Sequence, residues 1–233
     1  NAEEVAANGC ARSTVKETYE FILGDLNKAI ELLANTKKTR SDKRYVSLDV
    51  AYGIRARVHL TMHNYADALK DAEAALASTS SVPYSSAAVS KPTFIDIEDA
   101  SWMWGILITD KDRVSTTGIC NFPSHMGSLN YGYASVGGWR RISPKLYNQI
   151  PESDVRKGWF LDDTGVSVNL PAAAQAYITK KGAPVYTQVK YGPMNDEWGS
   201  NNNATDVILM RVEEMYLIKA EAQAMNNDVS GGV

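Results

Sequence analysis

Residues 52–76 read YGIRARVHLTMHNYADALKDAEAAL, and this stretch decides the fold. Its apolar residues recur every three or four positions up to Met62 and again from Tyr65, a spacing that predicts two amphipathic helices. His63 and Asn64 interrupt the pattern, which predicts a tight turn between the helices. Small residues stand where the two helices must approach closely: Ala56, Ala68 and Ala72.

This hairpin resembles one tetratricopeptide unit, a repeat of about 34 residues. Ser47 is a suitable N-cap for its first helix, and residues 42–76 match the length of one unit. One hairpin cannot bury its own apolar face, so several such units must stack. The pattern therefore predicts a mainly α-helical protein built from tetratricopeptide-like helical hairpin repeats.

A further helix is predicted before the hairpin. Thr14 and Glu17 have capping-box spacing, in which the Thr hydroxyl accepts from a backbone amide and the Glu carboxylate reaches back. Apolar residues then follow at helical spacing as far as Leu33. We expect this helix to supply half of a neighbouring repeat unit.

Residues 78–205 have no long helical period. They contain all five Trp residues, many Gly residues and short apolar runs such as residues 102–108. Residues 78–90 are predicted to form a loop and residues 144–150 a short helix. A stretch of this length without regular structure is uncommon in a compact domain unless it is functional. We predict a large irregular α+β insertion with a few hairpins.

A strongly apolar helical pattern returns at Asp206 and fades at Asn226. A helix this apolar is packed on more than one side, and the sequence offers no partner helix for it. We therefore expect an exposed apolar patch and a tendency to associate. We expect the chain to divide into a helical-repeat part (1–77), an insertion lobe (78–205) and a returning repeat helix that is cut short (206–233).

Four segments, taken in order, carry a family resemblance. They are residues 19–33, residues 52–76, residues 142–156 (ISPKLYNQIPESDVR) and residues 206–222 (DVILMRVEEMYLIKAEA). In content and order they are similar to motifs of the RagB/SusD family of outer-membrane lipoproteins. One departure lies in the last segment, where Val212 and Glu213 replace an aromatic residue followed by a small one.

This resemblance implies a SusD-like fold, in which tetratricopeptide-type hairpins carry a large irregular lobe. It also implies a non-catalytic, surface-exposed lipoprotein of the outer membrane that serves nutrient uptake. Such a protein captures a glycan such as starch, or alternatively a peptide, and delivers it to a TonB-dependent β-barrel importer (SusC-like). No signal peptide is visible, and we expect the lipid anchor upstream of this chain, because no apolar run precedes Cys10.

Charge and composition argue against several other classes. The net charge is −3 and no basic face is evident, so a nucleic-acid partner is not expected. No run of about 18 apolar residues occurs, so no transmembrane helix is predicted. Cys10 and Cys120 are too few for a disulfide framework and show no metal-ligand spacing.

Motifs for catalysis are weak. His59 and His63 have a zinc-compatible spacing, but a third ligand and the Glu of a metalloprotease motif are missing. Loop carboxylates, such as Asp96 and Glu98 or Asp162 and Asp163, could serve as acid and base in glycoside hydrolysis. Sequence neighbours rarely face each other across a sugar, so we expect no enzyme, no cofactor and no metal ion.

The aromatic residues of the insertion are the strongest functional signal. Sugar rings present flat C–H faces that stack on Trp and Tyr, and their hydroxyl groups bind polar side chains. Residues 121–141 and 196–203 combine both kinds of residue. The predicted ligand-binding residues are Trp139, Tyr131, Tyr133, Trp198, Asn130 and Arg140. Each ring could instead anchor a loop on the core, so the prediction requires at least one exposed ring.

A protein–protein scaffold is the competing function. Tetratricopeptide stacks bind peptides in their concave face. In that case the ligand would occupy the helical groove and not the irregular lobe, and Trp139 and Trp198 would have no part in binding.

Overall fold

The computed structural model describes residues 3–4, 9, 11–36, 38–116, 121–227 and 231. These residues form two compact units. The helical unit consists of the described residues of Asn1–Arg40, Val46–Thr79 and Glu214–Val233. The lobe unit consists of those of Ser41–Tyr45 and Ser80–Glu213.

The chain is mainly helical, as predicted from its sequence. The α-helices are α1 (Val15–Asn35), α2 (Leu48–Thr61), α3 (Tyr65–Ser78), α4 (Ser86–Val89), α5 (Phe122–Met126), α6 (Pro144–Tyr147), α7 (Ala172–Lys180) and α8 (Val212–Met225). The strands are β1 (Trp102–Ile106) and β2 (Val207–Arg211), and 3₁₀ helices lie at Arg113–Thr116, Tyr133–Val136, Val155–Trp159 and Met194–Asp196. None of the described helices has the length and apolar content needed to span a membrane.

Helix α1 begins where the capping box predicts. The Glu17 amide donates to the Thr14 hydroxyl at 3.2 Å, and the Thr14 amide donates to the Glu17 carboxylate at 2.8 Å. Two amides of the first turn, which lack partners within the helix, are satisfied in this way. Because this cap uses only local residues, it could be recognised from the sequence.

The predicted hairpin is formed by α2 and α3. Ser47 occupies the N-cap position of α2, but its hydroxyl donates to Asp49 and does not cap the helix. His63 adopts a left-handed backbone conformation (φ 58°) in the turn, and the Asn64 side chain caps α3 by accepting from the Asp67 amide. The small residues expected at the contact between the helices, Ala56, Ala68 and Ala72, are fully buried.

Ion pairs connect the helices of the helical unit. Between α2 and α3, the Arg55 guanidinium donates two hydrogen bonds to the buried Asp71 carboxylate, at 2.7 and 2.6 Å. Between α2 and α8, the Arg57 guanidinium makes the same bidentate contact with the Glu214 carboxylate, at 2.5 Å for both bonds. Bidentate geometry of this kind fixes the direction of both side chains, so it orients the helices as well as holding them.

The returning helix was predicted to begin at Asp206, and this is wrong for its first six residues. Residues Val207–Arg211 form β2, which pairs antiparallel with β1 so that Trp102 lies opposite Arg211, and α8 begins only at Val212. A continuous apolar run does not distinguish a buried strand from a buried helix, because the period is lost in both. The strand partner lies about a hundred residues earlier in the chain, outside any local window.

The lobe unit contains two helices that were not predicted, and its strands pair differently from the predicted hairpins. Helix α7 spans nine residues in a region where no helix was predicted, and α4 interrupts the predicted loop of residues 78–90. The described strands form one two-stranded sheet from distant segments, so the predicted hairpins are not found among the described residues. Helix α7 has a short apolar face, with only Ala174 and Ile178 fully buried.

Helix α8 buries one face and exposes another. Met215, Ile218 and Ala222 recur at helical spacing and are buried. Leu217 is 69% exposed, and Tyr216 and Met225 are exposed beside it. An apolar residue such as Leu217 remains mostly exposed in this arrangement, in keeping with the expectation of an apolar patch on this helix.

Candidate ligand-binding site

The two polar-aromatic loops of the lobe unit are joined to each other by their backbones. The Tyr131 amide donates to the Ser200 carbonyl at 2.8 Å, and the Gly199 amide donates to the Leu129 carbonyl at 2.7 Å. The loops are about seventy residues apart in the sequence, and these bonds hold them next to each other in the lobe unit. We call the pair of segments, residues 121–141 and 196–203, the aromatic loops.

A buried amide pair lies beneath the aromatic loops. The Asn130 side-chain amide donates to the side-chain oxygen of Asn203, and the Asn203 side-chain amide donates to the Tyr131 backbone carbonyl at 3.3 Å. Asn130 is only 4% exposed. Its prediction as a surface contact for a ligand is therefore corrected: Asn130 holds the loops together from inside. A polar residue in a loop carries no sequence signal that separates these two roles.

Trp139 and Trp198 pack against the same apolar cluster of the lobe unit. The buried members of this cluster come from four different segments: Leu129, Leu161, Ile178 and Val189. Both Trp rings are partly exposed, so each has one part in the core and one part at the surface. Each ring therefore fills both roles that the sequence left open, loop anchor and surface aromatic.

Gly199 allows the second aromatic loop to lie close to α7. Its backbone is left-handed (φ 85°), and a Cβ atom at this position would lie 2.5 Å from the ring of Tyr177. Any side chain there would be strained and would also displace that ring. Tyr177 packs against the same cluster as the two Trp rings and was not singled out from the sequence, because it lies outside the two polar-aromatic segments.

Tyr131 and Tyr133 give the surface of the first aromatic loop two further rings. Tyr131 is 41% exposed. The Tyr133 ring lies 4.3 Å from the His125 ring, and the Arg140 guanidinium lies 6.0 Å from its centre. A planar cation beside aromatic faces is suited to hydrogen bonding at the edge of a bound molecule while the rings cover its face.

Several of the other side chains considered for chemistry, among them the loop carboxylates Asp112 and Asp162, have structural partners. The Asp112 carboxylate accepts from the Thr109 amide and hydroxyl, and the Asp162 carboxylate accepts from Thr164 and Val166 in its own loop. His59 lies 3.7 Å from Asp71, and His63 bonds the Tyr65 hydroxyl at 2.8 Å. Within the part of the chain that the structure describes, no three His, Cys, Asp or Glu residues cluster as metal ligands do.

Comparison with solved structures identifies the fold. A SusD-like carbohydrate-binding protein from Bacteroides vulgatus superposes on 99% of this chain with a TM-score of 0.73 and 26% sequence identity. The chain has the fold of the SusD-like proteins. The RagB/SusD resemblance of the four sequence segments is thereby confirmed, as is the SusD-like fold that it implied.

Two further comparisons show the same fold at lower identity. A SusD superfamily protein from Bacteroides thetaiotaomicron has a TM-score of 0.66 at 21% identity over 94% of this chain. Surface glycan-binding protein A from the same organism, solved with laminarihexaose, has a TM-score of 0.58 at 17% identity, also over 94%. No protein-family model matches this SusD-like chain, and no curated protein does.

The SusD-like chain corresponds to only part of each of these relatives. It covers 44% of the B. vulgatus protein, 45% of the B. thetaiotaomicron superfamily protein and 55% of the glycan-binding protein.

Proposed function

We propose that this chain is part of a non-catalytic glycan-binding surface protein, and that the aromatic loops of its lobe unit bind the glycan. One observation carries this proposal. Two loops distant in sequence are hydrogen-bonded to each other, and they carry the exposed Tyr131 and the partly exposed Trp139 and Trp198, which pack on one apolar cluster. Aromatic faces of this kind stack on the C–H faces of sugars. The carbohydrate-binding names of two structural relatives support the same ligand class.

The assigned binding residues are Tyr131, Tyr133, Trp139, Trp198 and Arg140. Each ring adds an apolar face, and the Arg140 guanidinium adds hydrogen-bond donors beside them. The rings are partly supported by the core, which keeps their orientation fixed before a ligand arrives. Preorganised groups of this kind lose little conformational entropy on binding.

Glycan-array screening followed by calorimetry tests this assignment. We expect Trp139→Ala and Trp198→Ala each to weaken glycan binding about tenfold, which corresponds to about 1.4 kcal/mol. Tyr131→Ala is expected to weaken binding less, and Tyr45→Ala is its matched control, because Tyr45 is also exposed but lies outside the aromatic loops. Binding that is unchanged in both Trp variants would remove the site from the lobe unit.

In the whole protein, the bound glycan would be passed to a TonB-dependent outer-membrane importer, with attachment to the cell surface through a lipid anchor. The family resemblance supports this step. Co-purification of a β-barrel importer with the full-length protein tests it. Release of reducing sugar from the glycan by the full-length protein would instead assign an enzymatic function.

A peptide scaffold is the second candidate, and one feature of the helical unit favours it. A polar cleft of about 260 Å³ lies between α1 and the hairpin, with Asn27, Arg55 and Lys70 in its walls. Arg55 is paired with Asp71, so the ammonium of Lys70 is the donor that could bind a peptide carboxylate there. Peptide binding that persists in Trp139→Ala and Trp198→Ala would favour the scaffold over the glycan-binding lobe.

A further inference from the structure

The lobe unit has a cavity of about 470 Å³ that the glycan proposal does not use. Its walls are largely apolar and come from residues 142–150, residues 154–160, residues 188–191 and Met126 of α5. Representative wall residues are Ile142, Leu146, Ile150, Trp159 and Phe160. The volume falls in the range of about 300–1,000 Å³ that is typical of small-molecule sites. None of the five residues assigned to glycan binding lines this cavity.

Three charged side chains line the cavity, and two of them neutralise each other. Arg156 donates to both carboxylate oxygens of Asp154, at 2.9 Å from Nε to Oδ1 and 2.6 Å from Nη2 to Oδ2. The Arg156 guanidinium holds the pKa of Asp154 down at about 2, so this carboxylate stays ionised and paired. The third charged residue, Lys190, is the one that determines what the cavity can bind.

The Lys190 ammonium is surrounded by aromatic rings. Its Nζ atom lies 4.8 Å from the ring centre of Tyr191, 5.5 Å from that of Trp159 and 5.6 Å from that of Phe94. Ring faces attract a cation, but they provide no hydrogen-bond acceptor equal to a carboxylate. Among the described residues, no Asp or Glu oxygen lies within salt-bridge distance of this ammonium.

The surroundings of Lys190 also make an unpaired charge costly. Burial and the nearby Arg211 guanidinium lower the pKa of Lys190. Arg211 lies 5.0 Å from the Phe94 ring, so two cations share that ring. A half-buried ammonium with an apolar cavity beside it is complementary to an anion that brings its own apolar surface.

We propose that this cavity binds a small amphipathic carboxylate, with the carboxylate group paired to Lys190 and the apolar body packed between Ile142, Leu146 and Ile150. Each methylene group that enters the cavity is expected to strengthen binding about threefold to fourfold until the cavity is filled. The site is separate from the proposed glycan contacts, because none of the five residues assigned to glycan binding lines the cavity, although Met126 of the aromatic loops does.

Calorimetric titration with octanoate and with 1-octanol, both below their micelle or solubility limits, tests the proposal. The two probes have the same chain length and differ in charge. We expect the wild-type chain to bind octanoate at least about tenfold more tightly than 1-octanol, because only octanoate can pair with the ammonium. Equal affinities for the two probes, or no heat from octanoate at millimolar concentration, would overturn the proposal.

Two substitutions of Lys190 separate its charge from its bulk. Lys190→Met keeps an apolar side chain of similar length, so it should abolish the preference for octanoate and leave 1-octanol binding unchanged. Lys190→Arg keeps a positive charge and should retain the preference. The proposal would be overturned if Lys190→Met still preferred octanoate over 1-octanol as strongly as the wild-type chain. It would also be overturned if Lys190→Met and Lys190→Arg lost this preference equally.

Two further variants test the position of the site. In Lys181→Met, the lost ammonium also lies near a Tyr ring, 5.7 Å from the centre of Tyr177, but does not line the cavity, so octanoate binding should be unchanged. Ile150→Trp should fill the cavity and weaken the binding of both octanoate and 1-octanol. Trp139→Ala and Trp198→Ala should bind octanoate normally even if they lose the glycan, so the two proposals fail separately.

Discussion

The helical unit and the lobe unit satisfy their backbones in different ways. A helix pairs its own amides and carbonyls, so polar side chains in the helical unit are available for contacts between helices, such as Arg55 with Asp71. In the lobe unit, long segments lack regular structure, and side chains supply the missing backbone partners. The Asp206 carboxylate accepts from the amides of Ile97 and Ile108, at 2.8 Å each.

Further side chains of the lobe unit serve the same purpose. The Glu213 carboxylate accepts from the Tyr84 amide at 2.8 Å and from the Ser101 hydroxyl at 2.6 Å. The Gln175 side chain accepts from the Ser167 amide and donates to the Gly165 carbonyl. Irregular structure can therefore be as specific as a helix, provided that each buried amide finds a defined partner. Polar substitutions should be costly in the two units for different reasons.

The largest effect is expected from Asp71→Ala in the helical unit. It leaves the Arg55 guanidinium without its buried partner, and breaking a buried ion pair on one side costs about 3–5 kcal/mol. Urea denaturation measures the free energy of unfolding. The control is Glu31→Ala, which breaks the exposed pair of Lys28 and Glu31 and should cost no more than about 0.5 kcal/mol. Equal losses in both variants would show that burial of the pair is unimportant.

A somewhat smaller loss is expected from Asp206→Ala in the lobe unit. Burial raises the pKa of Asp206, so its ionised form has a desolvation cost that the substitution removes. Two backbone amides then lose their acceptor, which leaves a net loss of about 2–4 kcal/mol. Asp110→Ala, at an exposed loop carboxylate, should change the free energy of unfolding by less than about 0.5 kcal/mol. A loss that small in Asp206→Ala would contradict the role given to side-chain acceptors here.

The smallest effect concerns acid stability and Asp154. The hydrogen bonds from Arg156 lower the pKa of this carboxyl group to about 2, below its unfolded value of about 3.9. A lowered folded-state pKa stabilises the protein above about pH 4, and this contribution disappears as the pH falls towards about 2. The free energy of unfolding should therefore fall less steeply with acid in Asp154→Asn than in the wild-type chain. Parallel acid profiles in the two proteins would contradict this account.

The two units also differ in how much the sequence reveals. The capping box of Thr14 and the Ala positions of the hairpin depend on residues three or four apart, so the helical unit follows from periodicity. The strand at Val207–Arg211 does not, because its pairing with β1 is decided about a hundred residues away. Apolar residues that could form a helix form a strand when a partner strand and a buried surface are available.

The candidate site could be predicted in its composition but not in its assembly. The sequence predicts ligand-binding residues in both aromatic loops with at least one exposed ring, and Tyr131 is exposed. It could not show that Leu129 and Gly199 are joined by a backbone bond, or that Asn130 points inward. These are contacts between distant segments, and no local spacing encodes them.

The backbone bonds between the aromatic loops have a consequence for how such a surface can diverge. An amide and a carbonyl bond in the same way whichever side chains their residues carry, so the two loops remain joined when Tyr131 or Ser200 is exchanged for another residue. Substitutions at those positions can then change the ligand preference while the backbone beneath them stays the same. Redesign towards a new sugar should accordingly diversify Tyr131 and Ser200 and retain Gly199 and the Asn130–Asn203 pair.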